Sequence, residues 1–232
     1  MKTLGLIGGM SWESSAMYYQ HLNRLVAERL GGLHSAKVVL YSVDFAGIAE
    51  RQHQGDWQGA GELLADAARK LSAAGAQALL ICTNTMHKVA DAVEAAVDVP
   101  LIHIADVAAR EAQRAGVKTV ALLGTAFTME QPFYRERLEQ RFGLRVLTPD
   151  ADERADIHRI IYDELCLGQR LPASRERLRA IIERLATGGA QGVILGCTEL
   201  PLLIEQDDVS ITVLDSTTLH ARAAIDFALG TA

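Results

Sequence analysis

Two short segments of the chain carry small polar or thiol side chains directly after an apolar run. One is Gly75–Thr85, GAQALLICTNT, and the other is Gly189–Leu200, GAQGVILGCTEL. When the shared Gly-Ala-Gln is superposed, Thr83 falls on Cys197. A cysteine after a buried strand can act as acid, base or nucleophile if its surroundings tune its pKa. The repeat therefore predicts two equivalent chemical positions, one holding a hydroxyl and the other a thiol.

Of the 3 cysteines, only Cys197 is predicted to do chemistry. Strand alternation sends the side chain of Cys82 away from that of Thr83, and Cys166 lies between leucines in a predicted helix, so both are interpreted as core residues. A helix start beside Cys197 would lower the pKa of its thiol. The odd count and the lack of a CxxC pair argue against a disulfide framework. We therefore expect a cytoplasmic protein with reduced thiols.

Polar residues also follow the other predicted strands. Thr83, Asn84 and Thr85 can cap a helix, and free N–H groups at a helix start can also bind a carboxylate. The turn after the first strand, Gly5-x-x-Gly8-Gly9, lacks the spacing of a dinucleotide fingerprint, and no P-loop lysine follows it. We interpret its glycines as a tight turn or as room for a small ligand.

The 7 histidines show none of the spacings HxxxH, HExxH or HxH, so no metal site is expected. His87, His103 and His220 are interpreted as structural or supporting residues.

Composition limits the class of protein. The 232 residues are 49% hydrophobic and 22% charged, which is enough apolar material for a core and is not a disordered composition. The formal charge of -6 and the absence of a Lys/Arg block argue against a nucleic-acid partner. No apolar stretch reaches membrane-spanning length, and the run at residues 4–7 is too short for a signal peptide. A soluble protein with no membrane partner is expected.

Strand and helix patterns alternate along the chain, and the pattern starts again halfway. Lys118–Gly124, KTVALLG, repeats Lys2–Gly8, KTLGLIG. The fold class predicted is α/β, with two similar lobes, each a mostly parallel sheet flanked by helices. The first lobe is expected at 1–102 plus about 213–232, and the second at 103–212. Function in such sheets lies beyond the carboxyl ends of the strands.

Several element boundaries follow from this pattern. The predicted strands are Lys2–Gly8, Lys37–Val43, Ala76–Cys82, Pro100–Ile104, Lys118–Gly124, Leu144–Leu147, Ala190–Leu195 and Val209–Leu214. The predicted helices include a capped helix after Ser11, and Asp56–Ala74, Thr85–Ala96, Asp106–Ala115, Phe127–Phe142, Asp150–Leu165, Ser174–Thr187 and Thr217–Leu229.

Four motifs together resemble the aspartate/glutamate racemase family over essentially the whole chain. They are GGMSWES at 8–14, CTNTMHK at 82–88, GT at 124–125 with TM at 128–129, and GCTE at 196–199. The resemblance is closest to the enterobacterial branch of L-aspartate/glutamate-specific or broad-specificity amino-acid racemases. It implies a racemase that needs no pyridoxal phosphate or other cofactor, with its active site in the cleft between two lobes. It also implies a small amino-acid substrate and a homodimer.

The family uses two thiols on opposite faces of the substrate α-carbon, and this chain departs from that pattern. Thr83 stands where two-cysteine members have the first thiol, and Cys82 lies one position too early. A hydroxyl is a much weaker acid than a thiol. We therefore expect Cys197 to carry most of the proton chemistry, with Thr83 as donor or water relay, and catalysis that is slow or biased in direction.

The resemblance also implies a set of substrate-binding residues. The aspartate-specific branch has a lysine near the place that Glu164 holds in this chain. Without that cation, the site has room for neutral side chains, such as that of homoserine, or for basic ones, beside aspartate and glutamate. The matching positions are Met10, Ser11, Gln52, Asn84, Thr85, Thr125, Thr198, Glu199 and Glu164.

Other functions stay open at this point. Hydantoin racemases, maleate isomerases and arylmalonate decarboxylases share the two-lobe frame, although the NTMH and TE motifs favour the amino-acid branch. A cysteine-nucleophile hydrolase could use Cys197 with His220 as its base. A relative that binds a small molecule without turning it over is the non-enzymatic alternative.

Overall fold

The computed structural model describes residues 1–231 of the chain, which divide into two compact lobes. The first lobe comprises Met1–Ile104 and the residues from His220 onward, and the second comprises Ala105–Leu219. Each lobe has its own parallel sheet and its own apolar core.

The first lobe is built around β1 (Leu4–Gly8), which lies at the centre of a sheet of order β2-β1-β3. Both neighbours are parallel to it, and Ile7 pairs with Tyr41 on one side and Ile81 on the other. The other elements are α1 (Trp12–Leu30), β2 (Val38–Ser42), α2 (Phe45–Gln54), α3 (Trp57–Ala73), β3 (Ala78–Ile81), a 3-10 helix (Thr85–Val89) and α4 (Ala90–Glu94).

The second lobe has a four-stranded sheet of order β5-β4-β6-β7, also parallel throughout. Its helices are α5 (Ile104–Arg114), α6 (Ala126–Glu130), α7 (Pro132–Phe142), α8 (Ala151–Arg159), a π-helical turn (Ile160–Glu164), α9 (Pro172–Thr187), α10 (Ser216–Leu229) and 3-10 helices at Leu165–Leu167, Leu200–Leu202 and Gln206–Asp208. Its strands are β4 (Thr119–Gly124), β5 (Arg145–Leu147), β6 (Gly192–Gly196) and β7 (Thr212–Asp215). Ile104, the first residue of α5, and the part of α10 from His220 onward belong to the first lobe.

The predicted fold class, α/β with two parallel sheets flanked by helices, is confirmed. Central strands such as β1 and β6 are buried over their whole length, which is why they appear in the sequence as continuous apolar runs instead of alternating ones. The helix start predicted at Ser11 is also confirmed, because its Oγ accepts the N–H of Ser14 at 3.2 Å.

The internal repeat is visible in equivalent hydrogen bonds. Gln77 accepts the N–H of Thr3 at 3.1 Å through its side-chain oxygen, and Gln191 accepts the N–H of Thr119 at 3.2 Å in the same way. The strand pairs are equivalent too: Ile7 pairs with Ile81 in one sheet, and Leu123 pairs with Leu195 in the other. Thr83 and Cys197 each lie two residues beyond these pairs, so the sheet registers support their equivalence.

The predicted strand Pro100–Ile104 is wrong. Only a single bridge forms there, between Leu101 and Leu79. Pro100 lacks an N–H group and accepts only through its carbonyl, and Ile104 already begins α5.

Three predicted helices are less regular than expected. Thr85–Ala96 is a 3-10 helix followed by the short α4, and Phe127–Phe142 is divided because Pro132 begins a new helix. Asp150–Leu165 begins with the capping box of Asp150 and then changes to the π-helical turn Ile160–Glu164. A π turn inserts one extra residue and turns the following side chains to a new direction, often at a functional site.

The cores lie on the faces of the two sheets. In the first lobe, one apolar cluster includes Leu64 and Met86, and another joins Leu4 and Tyr18 to α10. In the second, α8 and α9 pack on β4 and β6. Among residues 1–231, no helix combines the length and the apolar composition that a membrane crossing requires.

Candidate active site

The turn after β1 is held in one conformation by its glycines and by α1. Gly9 has φ 91°, and a Cβ added there would lie 2.2 Å from the carbonyl oxygen of Val43. Its N–H donates to Ser15 Oγ at 2.7 Å, and that hydroxyl donates to the carbonyl of Ser11 at 2.9 Å. The tight-turn interpretation of these glycines therefore has a steric basis.

Met10 and Ser11 follow this turn directly and Gln52 lies in α2, so the three residues of the first lobe have different surroundings. Ser11 is partly exposed and caps α1. Met10 and Gln52 are both buried: Met10 packs in the cluster with Met86, and Gln52 Nε2 donates to Met86 Sδ at 3.0 Å. Met86 thus accepts a hydrogen bond from Gln52 and shares an apolar cluster with Met10.

The segment after β3 contains the first predicted catalytic position. Thr83 is partly exposed, whereas Asn84 and Thr85 are buried. Cys82 is fully buried in the core with Leu4, and burial raises the pKa of its thiol strongly. The sequence interpretation of Cys82 as a core residue is confirmed.

His87 ties this segment to the start of α5. Its Nε2 accepts the N–H of Ile104 at 3.2 Å, so Nδ1 carries the proton and donates to the carbonyl of Thr83 at 2.8 Å. The buried ring of His103 lies against it, with ring centroids 4.5 Å apart. The backbone of Thr83 is therefore fixed independently of its side chain.

His220 is also structural. Its Nε2 donates to the carbonyl of Ile102 at 2.6 Å, and its Nδ1 accepts the hydroxyl of Tyr18 at 2.8 Å. Burial lowers its pKa to about 4. Both ring nitrogens are occupied within the first lobe, so the hydrolase alternative loses the base that it required.

In the second lobe, β4 and β6 bring two predicted site residues side by side. Gly124 pairs with Gly196, and a Cβ on Gly124 would lie 2.8 Å from the carbonyl oxygen of Gly196. Thr125 and Cys197 follow these two glycines directly. Thr125 caps α6 by accepting the N–H of Thr128 at 3.4 Å. The close approach of the strands requires glycine at both positions.

Cys197 forms a compact cluster with the two residues after it. Its Sγ donates to Glu199 Oε2 at 3.0 Å, and Thr198 Oγ1 donates to the same oxygen at 2.6 Å. All three side chains are buried, with 7% or less of their surface exposed. The carboxylate of Glu199 is therefore positioned to take the thiol proton.

The expectation of a thiol pKa lowered by a helix start is wrong. No α-helix follows Cys197 directly; a turn leads into the short 3-10 helix Leu200–Leu202. Burial raises the pKa of Cys197 well above its usual range, and the carboxylate of Glu199 raises it further. The backbone N–H of Glu199 acts in the opposite direction, since it donates to the sulfur and favours the thiolate.

The sequence reasoning missed Tyr162, which the π-helical turn brings to this cluster. Tyr162 packs on the core that contains Cys197, and its ring lies 4.7 Å from that of His158. His158 Nδ1 accepts the N–H of Ala126 at 3.2 Å, beside Thr125. Burial, then Cys197, raises the pKa of Tyr162 to about 12, so its hydroxyl stays neutral. A regular helical pattern carries no sign of the extra residue in the turn.

Glu164 lies in the same turn but is directed elsewhere. Its carboxylate accepts from Arg159 at 2.6 Å and from the hydroxyl of Ser174. These hydrogen bonds hold the pKa of Glu164 below its usual range, Ser174 more than Arg159. The carboxylate thus fastens the turn to the start of α9.

The predicted site residues form two groups, one in each lobe. The first lobe contributes Met10, Ser11, Gln52, Thr83, Asn84 and Thr85, and the second contributes Thr125, Glu164, Cys197, Thr198 and Glu199.

Within residues 1–231, no group of three or more His, Cys, Asp or Glu side chains is arranged to hold a metal ion.

Comparison with known proteins finds similarity along the whole chain. The model of the Asp/Glu/Hydantoin racemase family matches residues 7–224. A crystal structure from Yersinia pestis, provisionally named an Asp/Glu racemase, is 53% identical, covers 99% of this chain and 100% of its own, and superposes with a TM-score of 0.94. An aspartate racemase homologue from Pyrococcus horikoshii is 38% identical over 99% of this chain and 100% of its own, with a TM-score of 0.88.

A curated relative, the broad specificity amino-acid racemase RacX of Bacillus subtilis, is 22% identical over 96% of this chain and 96% of its own. The family match spans nearly all of both lobes, including the segments that carry Thr83 and Cys197. The chain therefore belongs to the Asp/Glu/Hydantoin racemase family and is a cofactor-independent racemase, an isomerase.

Proposed function

We propose that this racemase interconverts the L and D forms of a small amino acid, with Cys197 and Thr83 acting on opposite faces of the α-carbon. The observation that carries the proposal is the hydrogen bond from Cys197 to Glu199, 3.0 Å long, at the position that the sheet register makes equivalent to Thr83.

On the Cys197 face, the thiol first transfers its proton to Glu199. The thiolate then removes the α-proton, and the electron pair of the C–H bond stays on the substrate as a carbanion. The backbone N–H of Glu199, which favours the thiolate, supports this assignment. Burial raises the thiol pKa in the free protein, so the thiolate formed in the site is a stronger base than an exposed one.

On the opposite face, Thr83 delivers a proton to the carbanion, directly or through a water molecule. Its hydroxyl is a weaker acid than a thiol, and the reverse step requires it to act as a base. A difference between the enantiomers is therefore expected in proton exchange: the enantiomer whose α-proton points at Cys197 exchanges that proton with solvent faster. Donors from Ser11, Asn84, Thr85 and Thr125 would stabilise the carboxylate side of the carbanion.

The substrate range is part of the proposal. The names of the relatives support aspartate or a broader set of amino acids. Gln52 is neutral, and the carboxylate of Glu164 is engaged by Arg159 and Ser174, so neither supplies a cation for an acidic side chain. We propose activity on uncharged side chains such as that of homoserine, alongside aspartate and glutamate, by a cytoplasmic homodimer.

Exchange of the α-proton with solvent tests this function directly. The protein is incubated with L-aspartate, L-glutamate or L-homoserine in deuterium oxide, and loss of the α-proton signal is followed by NMR. We expect exchange by the wild type and its loss in Cys197→Ser. Exchange at an unchanged rate in Cys197→Ser would refute the role of the thiol. Binding of these amino acids with no exchange would indicate the non-catalytic relative instead.

A further inference from the structure

Thr217 lies at the carboxyl edge of the second sheet, beside the residues that lead to Cys197. In the register of β6 and β7, Leu195 pairs with Asp215, so Thr217 and Cys197 are each two residues past the same pair. Ser216 Oγ donates to the carbonyl of Leu195 at 2.7 Å and so fastens the start of α10 to the end of β6.

The hydroxyl of Thr217 is buried without a partner. Thr217 is 3% exposed, and within residues 1–231 its Oγ1 makes no hydrogen bond. Buried hydroxyls in native proteins are nearly always paired, and an unpaired one costs stability. A valine would fill the same space without that cost, so packing alone gives no reason for a threonine here.

Local helix capping does not explain this hydroxyl either. Asp215 Oδ1 accepts the backbone N–H groups of Thr217 at 3.0 Å and Thr218 at 3.3 Å. The hydroxyl of Thr218 completes the cap by donating to Asp215 Oδ2 at 2.5 Å. The cap therefore uses the side chain of Thr218 and only the backbone of Thr217.

The charges along this edge indicate what the hydroxyl would bind. Asp215 is the last residue of β7, Glu199 lies three residues past the end of the adjacent strand β6, and both are acidic. Such surroundings favour a cationic donor over an anion. An amino acid carries such a donor on its α-carbon, the ammonium group.

We propose that Thr217 is a substrate-positioning residue whose Oγ1 accepts a hydrogen bond from the α-ammonium group of the amino acid. The inference rests on the proposed function, because it requires an amino acid to bind beside Cys197. It adds a contact in the second lobe that orients the α-carbon toward the thiol.

Calorimetric binding measurements on the whole protein test the proposal without turnover. The probes are L-glutamate and glutarate, which lacks the ammonium group. For Thr217→Val we expect the Kd of L-glutamate to rise about tenfold while the Kd of glutarate is unchanged. Thr217→Ser restores the hydroxyl and should recover wild-type affinity.

Two control variants distinguish this role from a structural one. Thr217→Val should keep or raise the melting temperature, because it removes an unpaired buried group. Thr218→Val removes the hydrogen bond to the capping carboxylate of Asp215, so it should lower the melting temperature and leave the glutamate to glutarate ratio of affinities unchanged. Tyr134→Phe removes another buried hydroxyl without a hydrogen bond in residues 1–231, and should leave both affinities unchanged.

The inference is overturned if Thr217→Val binds L-glutamate as tightly as the wild type does, or loses affinity for both probes equally. It is also overturned if the wild type binds no L-glutamate. A wild type that binds L-glutamate but exchanges no α-proton refutes the racemase proposal alone, and the comparison of the two probes still decides the role of Thr217.

Discussion

Replacing Cys82 and Thr83 one at a time decides which of these neighbours does the chemistry. The sulfur of Cys82 is fully buried among apolar side chains of the first lobe. Cys82→Ala leaves a small cavity there, which should cost about 1–2 kcal/mol of the free energy of unfolding. At this chain length that corresponds to a melting temperature lower by about 2–8 °C. Racemisation at lower temperature should be nearly unchanged.

Thr83→Ala should instead leave the stability nearly unchanged and slow racemisation. Thr83 is partly exposed, and the hydrogen bond from His87 goes to its backbone carbonyl, so removing the side chain leaves that contact intact. We expect a change of no more than about 0.5 kcal/mol in stability. Loss of a positioned proton donor should slow racemisation by about 100-fold to 10,000-fold.

The assay follows optical rotation from each enantiomer and α-proton exchange in deuterium oxide, with thermal unfolding of the same samples. Thr83→Cys supplies a second thiol as in two-cysteine relatives, and should make the α-proton exchange rates of the two enantiomers more nearly equal. If Thr83→Ala keeps full activity in both directions while Cys82→Ala loses it with an unchanged melting temperature, the register that equates Thr83 with Cys197 is wrong.

Three further predictions follow from the site and its supports. Burial holds the pKa of His220 at about 4, below the value near 6.5 expected in the unfolded chain. The contribution of the neutral ring to the free energy of unfolding is therefore complete above pH 6.5 and is lost as the pH falls toward 4. Acid titration of unfolding should show about 3 kcal/mol lost from this group, and a shallower slope in His220→Gln. Glu199→Gln removes a carboxylate that raises the pKa of Cys197, so thiolate absorbance should appear at lower pH while racemisation slows. Gly9→Ala should lower the free energy of unfolding in denaturant by at least about 3 kcal/mol, because Gly9 has φ 91° and an added Cβ would lie 2.2 Å from the carbonyl oxygen of Val43. A Cβ added at Gly47 would have no atom within 4 Å, so Gly47→Ala should be neutral or stabilising.

Each of these has a result that would contradict it. An unchanged acid slope in His220→Gln would mean that another group dominates the titration. Thiolate absorbance that appears at higher pH in Glu199→Gln would show that the carboxylate is not the group that opposes ionisation. Equal stabilities of Gly9→Ala and Gly47→Ala would remove the steric argument for the turn.

Much of the fold could be predicted because it depends on local patterns. Fully buried parallel strands give continuous apolar runs, and the repeated GAQ segments carry the same hydrogen bonds at Gln77 and Gln191. The cap at Ser11 needs only its neighbours. Pro100–Ile104 has the same apolar character but pairs at one residue only, because pairing depends on a partner strand and on N–H groups that proline lacks.

The sequence by itself determined the family, the two-lobe α/β class and the equivalence of Thr83 with Cys197, because these follow from composition, repeat and motif. Only the tertiary structure decided the environment of each group. Burial and Glu199 raise the pKa of Cys197, although its position suggested the reverse. The π turn brings Tyr162 to the cluster. The register of β6 and β7 places Thr217 and Cys197 two residues past the same pair, and within residues 1–231 the Thr217 hydroxyl has no hydrogen-bond partner. The physical reason is that a pKa, a contact or an unpaired hydroxyl depends on atoms that lie close in space but far apart in the chain.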